Sequence, residues 1–421
     1  MKYCKRCVYP ANAKPGIILD EEGVCSGCRL IESRPSIDWA SREKMLVEIL
    51  NEYKAQQRAK GNPYDCIIPV SGGKDSTFQV WLVKIKYCLN PLLVTYNHTF
   101  NTPLGIRNLT NLIEQLDCNL LRFTTAPGSA KRIAEYMLKT VGDVTWHYHA
   151  GIMTFPLAAS VQYDIPLIVW GEEGFSELVG MYNQDDFVEF TKKKRQEHSM
   201  RGFEPEDILQ RPDCGLNPYD LAAFFYPKDE EIERVGTRGI YLSNYINWNG
   251  RKQTEFVIEE LGFETAQFRE RTFNLYDKLD DIHANGLHDY LKYLKFGYGR
   301  ATDDAATEIR HGRMTREDGI EMVMKYDSVR PSDTDVFLRA VDMTEDDLLE
   351  LVRPHRDPKI WAFTDDMGWY TKDNVGNHIK DDGVEAVRIQ VRKDVKPFIK
   401  TPEKNSAHSQ KTHAQNEYVI L

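Results

Sequence analysis

From Tyr64 to Lys84 the chain reads Y-D-C-I-I-P-V-S-G-G-K-D-S-T-F-Q-V-W-L-V-K. Cys66 to Val70 form a short apolar run, the pattern of a buried strand. Beyond it Phe78, Trp81, Leu82 and Ile85 recur at helical spacing. The junction between them is Ser71-Gly72-Gly73-Lys74-Asp75-Ser76. Glycines there let backbone approach an anion, and the N–H groups that open a helix point at it. Ser71 and Ser76 offer hydroxyl donors and Lys74 a mobile positive charge. Asp75 among phosphates makes sense if it binds Mg²⁺ or accepts N–H groups of its own loop. The stretch lacks the upstream glycine of a Walker A loop, so it is phosphate chemistry of another kind.

The same strand–helix alternation continues outward. Leu92 to Tyr96 predicts a strand, followed by a helix near 105–117. Leu120 to Phe123 predicts the next strand, followed by a helix from Ala130 to Thr140. A helix around 151–163 then leads to a strand at Ile165 to Trp170. Alternation of this length predicts an α/β fold with a doubly wound parallel sheet, whose ligands bind at the carboxyl ends of the strands. Upstream, residues 37–60 read as a charged helix stopped by Gly61-Asn62-Pro63. Downstream, residues 181–235 are mixed and polar, and the run Lys192 to Arg195 reads as a solvated helix face. Helices dominate from 255 to 350, where Thr315-x-x-Asp318 and Thr344-x-x-Asp347 resemble capping boxes. Thr401 to Gln415 has no periodicity and predicts a loosely attached tail.

Four of the eight cysteines fall in the first 28 residues, as Cys4-x-x-Cys7 and Cys25-x-x-Cys28. Two such knuckles supply four thiolates to one tetrahedral ion, so the segment reads as a zinc ribbon, with Gly27 suited to the knuckle turn. Two disulfides or idle thiols are the alternatives. Four thiolates leave no open position, which makes the zinc structural. The expected organisation is therefore a ribbon (1–36), a helical linker (37–60), the sheet domain (61–235), a mainly helical region (236–390) and a polar tail (391–421).

Over 421 residues the apolar content is 41%, the charged content 28% and the formal charge −10. These values predict a cytoplasmic globular protein and argue against a nucleic-acid partner. No apolar run is long enough to span a membrane, and no h-region follows the cationic N-terminus.

The S-G-G-x-D-S signature resembles the PP-loop ATP pyrophosphatases, over roughly residues 65–175. That resemblance implies cleavage of ATP between its α and β phosphates, with the loop gripping pyrophosphate and Lys74 and Asp75 in catalytic roles. It also implies that the end of the second strand, including Val94, Tyr96 and Asn97, lies against the adenosine. Gly171-Glu172-Glu173 looks like a further nucleotide or metal position; an ordinary helix start is the equal alternative.

Longer blocks narrow the resemblance. K-Y-C-K-R-C-V-Y-P, D-E-E-G-V-C-S-G-C, V-T-Y-N-H-T-F-N-T-P-L-G-I-R-N-L and the distal K-F-G-Y-G-R-A-T-D-D-A-A-T-E-I-R-H-G-R-M-T-R-E-D-G are similar to bacterial N-acetyl-sugar amidotransferases. This family implies ATP, Mg²⁺ and structural Zn²⁺ as cofactors, and an N-acetylated sugar of surface-polysaccharide or nonulosonic-acid biosynthesis as substrate. The acetamido group would become an acetamidino group. Ammonia would come from a separate glutaminase subunit, in some members accompanied by a cyclase-like partner. A PP-loop enzyme that modifies tRNA, for example by thiolation, is the competing reading; a nucleotide-binding scaffold that docks a glutaminase is a third.

In the distal block Lys295, Arg300, Arg310, Arg313 and Arg316 stand among glycines, which suits an anion site. Lys295 and Arg300 are the preferred ligands, against the alternative that these cations pair with neighbouring carboxylates. Trp146-His147-Tyr148-His149, just before a helix, offers histidines for proton transfer or mere solvation. Tyr241, Asn244 and Trp248 are suited either to a sugar or to a core.

Overall fold

Five short apolar segments pair into one parallel sheet. The computed structural model describes residues 1–279 and 283–382. In it β1 (Cys66–Pro69), β2 (Pro91–Asn97), β3 (Leu120–Thr124), β4 (Leu167–Trp170) and β5 (Arg238–Tyr241) lie in the order β3-β2-β1-β4-β5. Ile67 stands opposite both Leu92 and Ile168, and Val169 opposite Ile240.

Successive residues face opposite layers, and both layers are covered, which is why the strands read as continuous apolar runs. Ile68, Leu93, Leu167 and Ile240 pack with Leu46 and Leu50 of α2 (Trp39–Ala59), Val80 of α3 (Lys74–Trp81) and Leu112 of α4 (Pro103–Leu116). Ile67, Leu92, Val94 and Ile168 pack on the other side with Leu157 and Ala159 of α6 (Trp146–Tyr163). Between them in sequence, α5 (Pro127–Val141) leads from β3 to α6. Asp38 caps α2 by accepting from Ser41 N at 3.1 Å, and Gly61 follows its end at φ +72°.

β5 has no counterpart among the expected strands. It carries the sheet past residue 235, so the expected boundary there cuts through the sheet unit, to which the helix Gly250–Leu261 also contributes Val257 and Leu261. Of the run Lys192 to Arg195, only the first two residues are solvated. Lys194 pairs with Glu173 at 2.6 Å, and fully buried Arg195 pairs with Glu204 at 2.6 Å.

The later part is helical as expected, including Ala284–Phe296, Arg300–Arg310 and Arg316–Tyr326, with an antiparallel hairpin at Trp361–Thr364 and Gly368–Thr371. Thr344 and Asp347 form a reciprocal capping box, whereas Thr315 only accepts from Asp318 N. The N-terminal segment packs against this helical region: Val8, Tyr9 and Val24 meet Ala305, Ile309 and Ile320, and Tyr9 donates to Asp303 at 2.6 Å. Among the described residues no helix is long and apolar enough to cross a membrane. The tail expected at 391–421 lies outside the described residues.

Candidate functional site

The strand order reverses between β1 and β4, so the crevice for a ligand opens at their carboxyl ends. From β1 emerges the loop Ser71–Ser76, and from β4 emerges Gly171–Glu173. The loop ties itself together: Gly73 N donates to Ser71 Oγ at 3.3 Å, while Ser76 Oγ and Thr77 Oγ1 both donate to Gly73 O at 3.0 Å. The Ser76 hydroxyl, expected to be a free donor, is thus occupied inside the loop. Gly73 caps α3 without a side-chain bond, leaving the helix opening to another acceptor. Gly72 sits at φ +83°, and a Cβ there would lie 2.8 Å from Leu109 N, so α4 excludes any side chain.

Lys74 is 4% exposed, and its Nζ contacts Asp75 Oδ2 at 2.5 Å and Asp277 Oδ1 at 3.1 Å. Burial works against its charge, but Asp277, then Asp75 and Glu172, hold its pKa well above the ordinary value. The carboxylates divide. Burial pushes Asp75 up despite Lys74, whereas at Asp277 the pull of Lys74 outweighs burial and holds the group below the usual range. Glu172 reaches solvent at the cleft mouth, yet the enclosing walls and the negative charge of Asp75 and Glu177 push it well up. Glu177 lies on α7 (Gly174–Val179). Burial opposes its charge, but His311 at 3.1 Å and Arg34 bring it down to about 2.

The Glu pair separates into two roles. Glu173 caps α7, accepting from Ser176 N and Oγ at 2.7 Å each, which is the ordinary helix start. Only Glu172 belongs with the charges around Lys74. A Cβ on Gly171 would stand 3.1 Å from both Gln79 Oε1 and the Trp248 ring, so that residue lets α3 approach β4.

Beside the loop is a cavity of about 210 Å³, lined by Ser71, Thr95, Tyr96, Asn97, Leu109 and Arg122 among others. Of the strand-end residues, Tyr96 and Asn97 line this cavity, but Val94 is 1% exposed and belongs to the core beneath. Tyr96 OH is held by Thr125 Oγ1 at 2.6 Å and His147 Nδ1 at 3.2 Å, and Asn97 donates to Thr124 Oγ1 at 3.0 Å. Arg122 and Asp277 were not foreseen. Arg122 buries its Nε beside the cavity with no hydrogen-bond partner among the described residues. Its place on β3, two positions before Thr124, was the available signal. Asp277 sits in irregular chain and gave none.

The four thiols meet as expected. All four Sγ atoms are buried within 4.8 Å of one another, with Cys4–Cys28 at 3.9 Å and Cys7–Cys25 at 3.7 Å. A tetrahedron with Zn–S bonds of about 2.3 Å has edges of about 3.8 Å, so the donor set fits structural zinc. Backbone N–H groups of Arg6, Cys7 and Cys25 donate to Cys4 Sγ at 3.3–3.4 Å, as thiolates require. Gly27 lies within α1 (Ser26–Ser33) rather than in a turn; a Cβ there would stand 2.6 Å from Arg310 Nη2.

The distal cations have partners of their own. Arg300 makes a bidentate pair with Asp289 at 2.7 and 2.9 Å and reaches Asp303 at 3.3 Å, so as an anion ligand it is already engaged. Lys295 belongs to a separate group around Asp143, 3.9 Å away, and burial lowers it to about 8. Arg310 donates to Glu177 O and Leu178 O at 2.8 Å and to Cys25 Sγ at 3.5 Å; Arg313 pairs with Glu308; Arg316 donates to Cys7 O. His147 and His149 lie in the first turn of α6 rather than in a loop, and burial lowers each to about 3. Tyr241 and Trp248 are core residues, at 4% and 1% exposure.

Residues 270–374 match the family model described as "LPS biosynthesis protein WbpG-like, C-terminal domain". The match contains the distal block from Lys295 to Gly319 and supports the family resemblance drawn from that block. An uncharacterized protein of Methanocaldococcus jannaschii, MJ1599, is 30% identical over 118 residues, 28% of this chain and 41% of that protein. The chain thus covers about two fifths of the relative it matches. The solved NMN synthetase from Francisella tularensis aligns with 48% of this chain and 93% of its own, at 15% identity and a TM-score of 0.25.

Proposed function

With residues 270–374 a WbpG-like C-terminal domain of lipopolysaccharide biosynthesis proteins, we propose that this chain is the ATP-using subunit of an N-acetyl-sugar amidotransferase. It adenylates the acetamido oxygen of an N-acetylated sugar, and ammonia from a separate glutaminase displaces AMP to leave an acetamidino group. The observation that carries the reading is buried Lys74 in a helix-opening glycine loop that lines a 210 Å³ cavity through Ser71.

An amide is a poor electrophile and its oxygen a poor leaving group. Attack of that oxygen on the α-phosphorus converts it into an O-adenylyl imidate, from which AMP departs readily. The protein's part is positioning and charge stabilisation. Tyr96 and Asn97 border the space for adenosine, and Arg122 Nε, without a hydrogen-bond partner among the described residues, is a donor beside it. The N–H groups that open α3, together with Lys74, face the pyrophosphate. Asp75 Oδ1 is buried with no partner among the described residues, and with Glu172 it offers hard oxygen donors that fit Mg²⁺. When bound, that ion neutralises phosphate charge. The cysteine cluster would hold Zn²⁺, which there supplies a cross-link rather than chemistry.

The test is direct. The purified protein is incubated with Mg-ATP, ammonium and a panel of N-acetylated nucleotide sugars and nonulosonic acids, then analysed by mass spectrometry. Replacement of one oxygen by NH, with AMP and pyrophosphate in equal amount, is the expected result. AMP formed with tRNA but with no sugar would overturn the reading in favour of nucleic-acid modification.

A further inference from the structure

A second polar cluster gathers around Asp143, and packing through Tyr148 and Phe100 joins it to the His98 wall of the cavity. Asp143, 3% exposed at its side chain, receives Thr145 N at 2.8 Å, Thr145 Oγ1 at 2.7 Å and Arg201 Nη1 at 2.8 Å. It also receives His288 Nδ1, 3.0 Å from Oδ2 and 3.2 Å from Oδ1. That bond puts the proton on Nδ1 and leaves the lone pair on Nε2. Among the described residues His288 Nε2 has no hydrogen-bond partner, and the side chain is 19% exposed. A buried carboxylate thus orients an accessible imidazole, the arrangement of a general base and its orienting group.

Packing contacts connect the pair with the cavity wall. His98 lines it, and the His98 ring meets Tyr148 edge-on at 5.2 Å. Phe100 O, two residues on, accepts from His283 N at 2.9 Å, and Phe100 packs with Tyr148 and Ala284. Ala284 and His288 are four apart and share a face of the helix Ala284–Phe296. His149, next to Tyr148, faces His288 at 5.7 Å between ring centres. Its Nδ1 approaches only Thr145 Oγ1, at 3.5 Å, so it lacks the carboxylate that orients His288.

We propose that His288, oriented by Asp143, is the acid–base group for ammonia addition to the activated sugar. This rests on the amidotransferase reading. The lone pair of ammonia forms a bond to the imidate carbon, and the C=N π pair moves onto the sugar nitrogen. His288 Nε2 takes one proton from the new ammonium nitrogen and returns it to the sugar nitrogen. The electron pair left on the new nitrogen forms the C=N bond as the C–O bond breaks, and AMP leaves with the C–O bonding pair on its phosphate oxygen. The product is an amidinium, and no net proton is released. Arg201, Lys295, His149 and Asp289 also face His288 or Asp143 and contribute to any pH dependence.

The test separates the two half-reactions in His288→Asn. Its amide nitrogen can replace Nδ1 as donor to Asp143, so the cluster keeps its bond while Nε2 is lost. Sugar-dependent ATP–pyrophosphate exchange without ammonia should persist. Ammonium-dependent amidine formation should fall about 10²–10⁴-fold. Imidazole should restore turnover to His288→Ala. Equal loss of both half-reactions, or retention of both, would overturn the role. Absence of sugar-dependent exchange in the unaltered protein would instead overturn the amidotransferase reading, and this proposal with it.

Discussion

Replacing Lys74 with Met removes a charge that two carboxylates share. The Nζ contacts, at 2.5 and 3.1 Å, involve a side chain 5% exposed, while Asp75 and Asp277 are each 30% exposed. Breaking a fully buried pair costs about 3–5 kcal/mol. Water reaches both carboxylates in part, so the loss at neutral pH should be about 2–4 kcal/mol. The pH dependence has a definite sign. Asp277 is held below its unfolded value, so its contribution is present above about pH 4 and is lost as pH falls through the folded value. Lys74 is held above its unfolded value, so its contribution is complete below about pH 10 and does not vary near neutrality. Urea denaturation of wild type and Lys74→Met should therefore show a constant gap across neutral pH that closes on acidification. AMP formation should fall about 10²–10³-fold, the usual effect of losing one preorganised donor. Adding Asp277→Asn to Lys74→Met should recover part of the stability and none of the activity. Equal stability at pH 7, or a gap that widens in acid, would refute the account of the pair.

Gly72→Ala faces both φ +83° and a Leu109 backbone 2.8 Å away; a loss of about 2–4 kcal/mol is expected by urea denaturation, with nucleotide binding abolished. Gly151→Ala would put a Cβ 2.5 Å from the Tyr96 ring. It should displace that wall of the cavity and weaken ATP binding about tenfold by calorimetry, an effect of about 1.4 kcal/mol. Cys28→Ser should release zinc to a colorimetric chelator and lower the melting temperature, because the ribbon packs on Ala305 and Ile309.

The loop and its sheet were legible because phosphate chemistry there is local in sequence. Two glycines, a lysine and the flanking strand and helix all fall within twenty-one consecutive residues, Tyr64 to Lys84. The thiol cluster was legible for the same reason. β5 was not: Arg238–Tyr241 has four residues, and it reaches β4 only after a long polar excursion. Asp277 and the Asp143–His288 pair are long-range encounters, which spacing cannot encode. The pairing of Arg300 with Asp289 was not legible, because glycines beside a cation look the same whether its partner is a ligand or a carboxylate from another turn. The histidines of α6 were misread as a loop because their surroundings come from elsewhere in the chain, Phe224 and Tyr96 for His147 and His288 for His149.

Tyr9 and Asp303 meet across 294 positions of sequence, and this separation sets an order of assembly during synthesis. The cysteine knuckles leave the ribosome well before the helices that cover them. At about 5–20 residues per second the interval is tens of seconds, during which the knuckles have neither Ala305 nor Ile309 to pack against. Metal capture in the nascent chain can therefore precede cover, and a ribbon already closed on its ion would be the template on which those later helices dock.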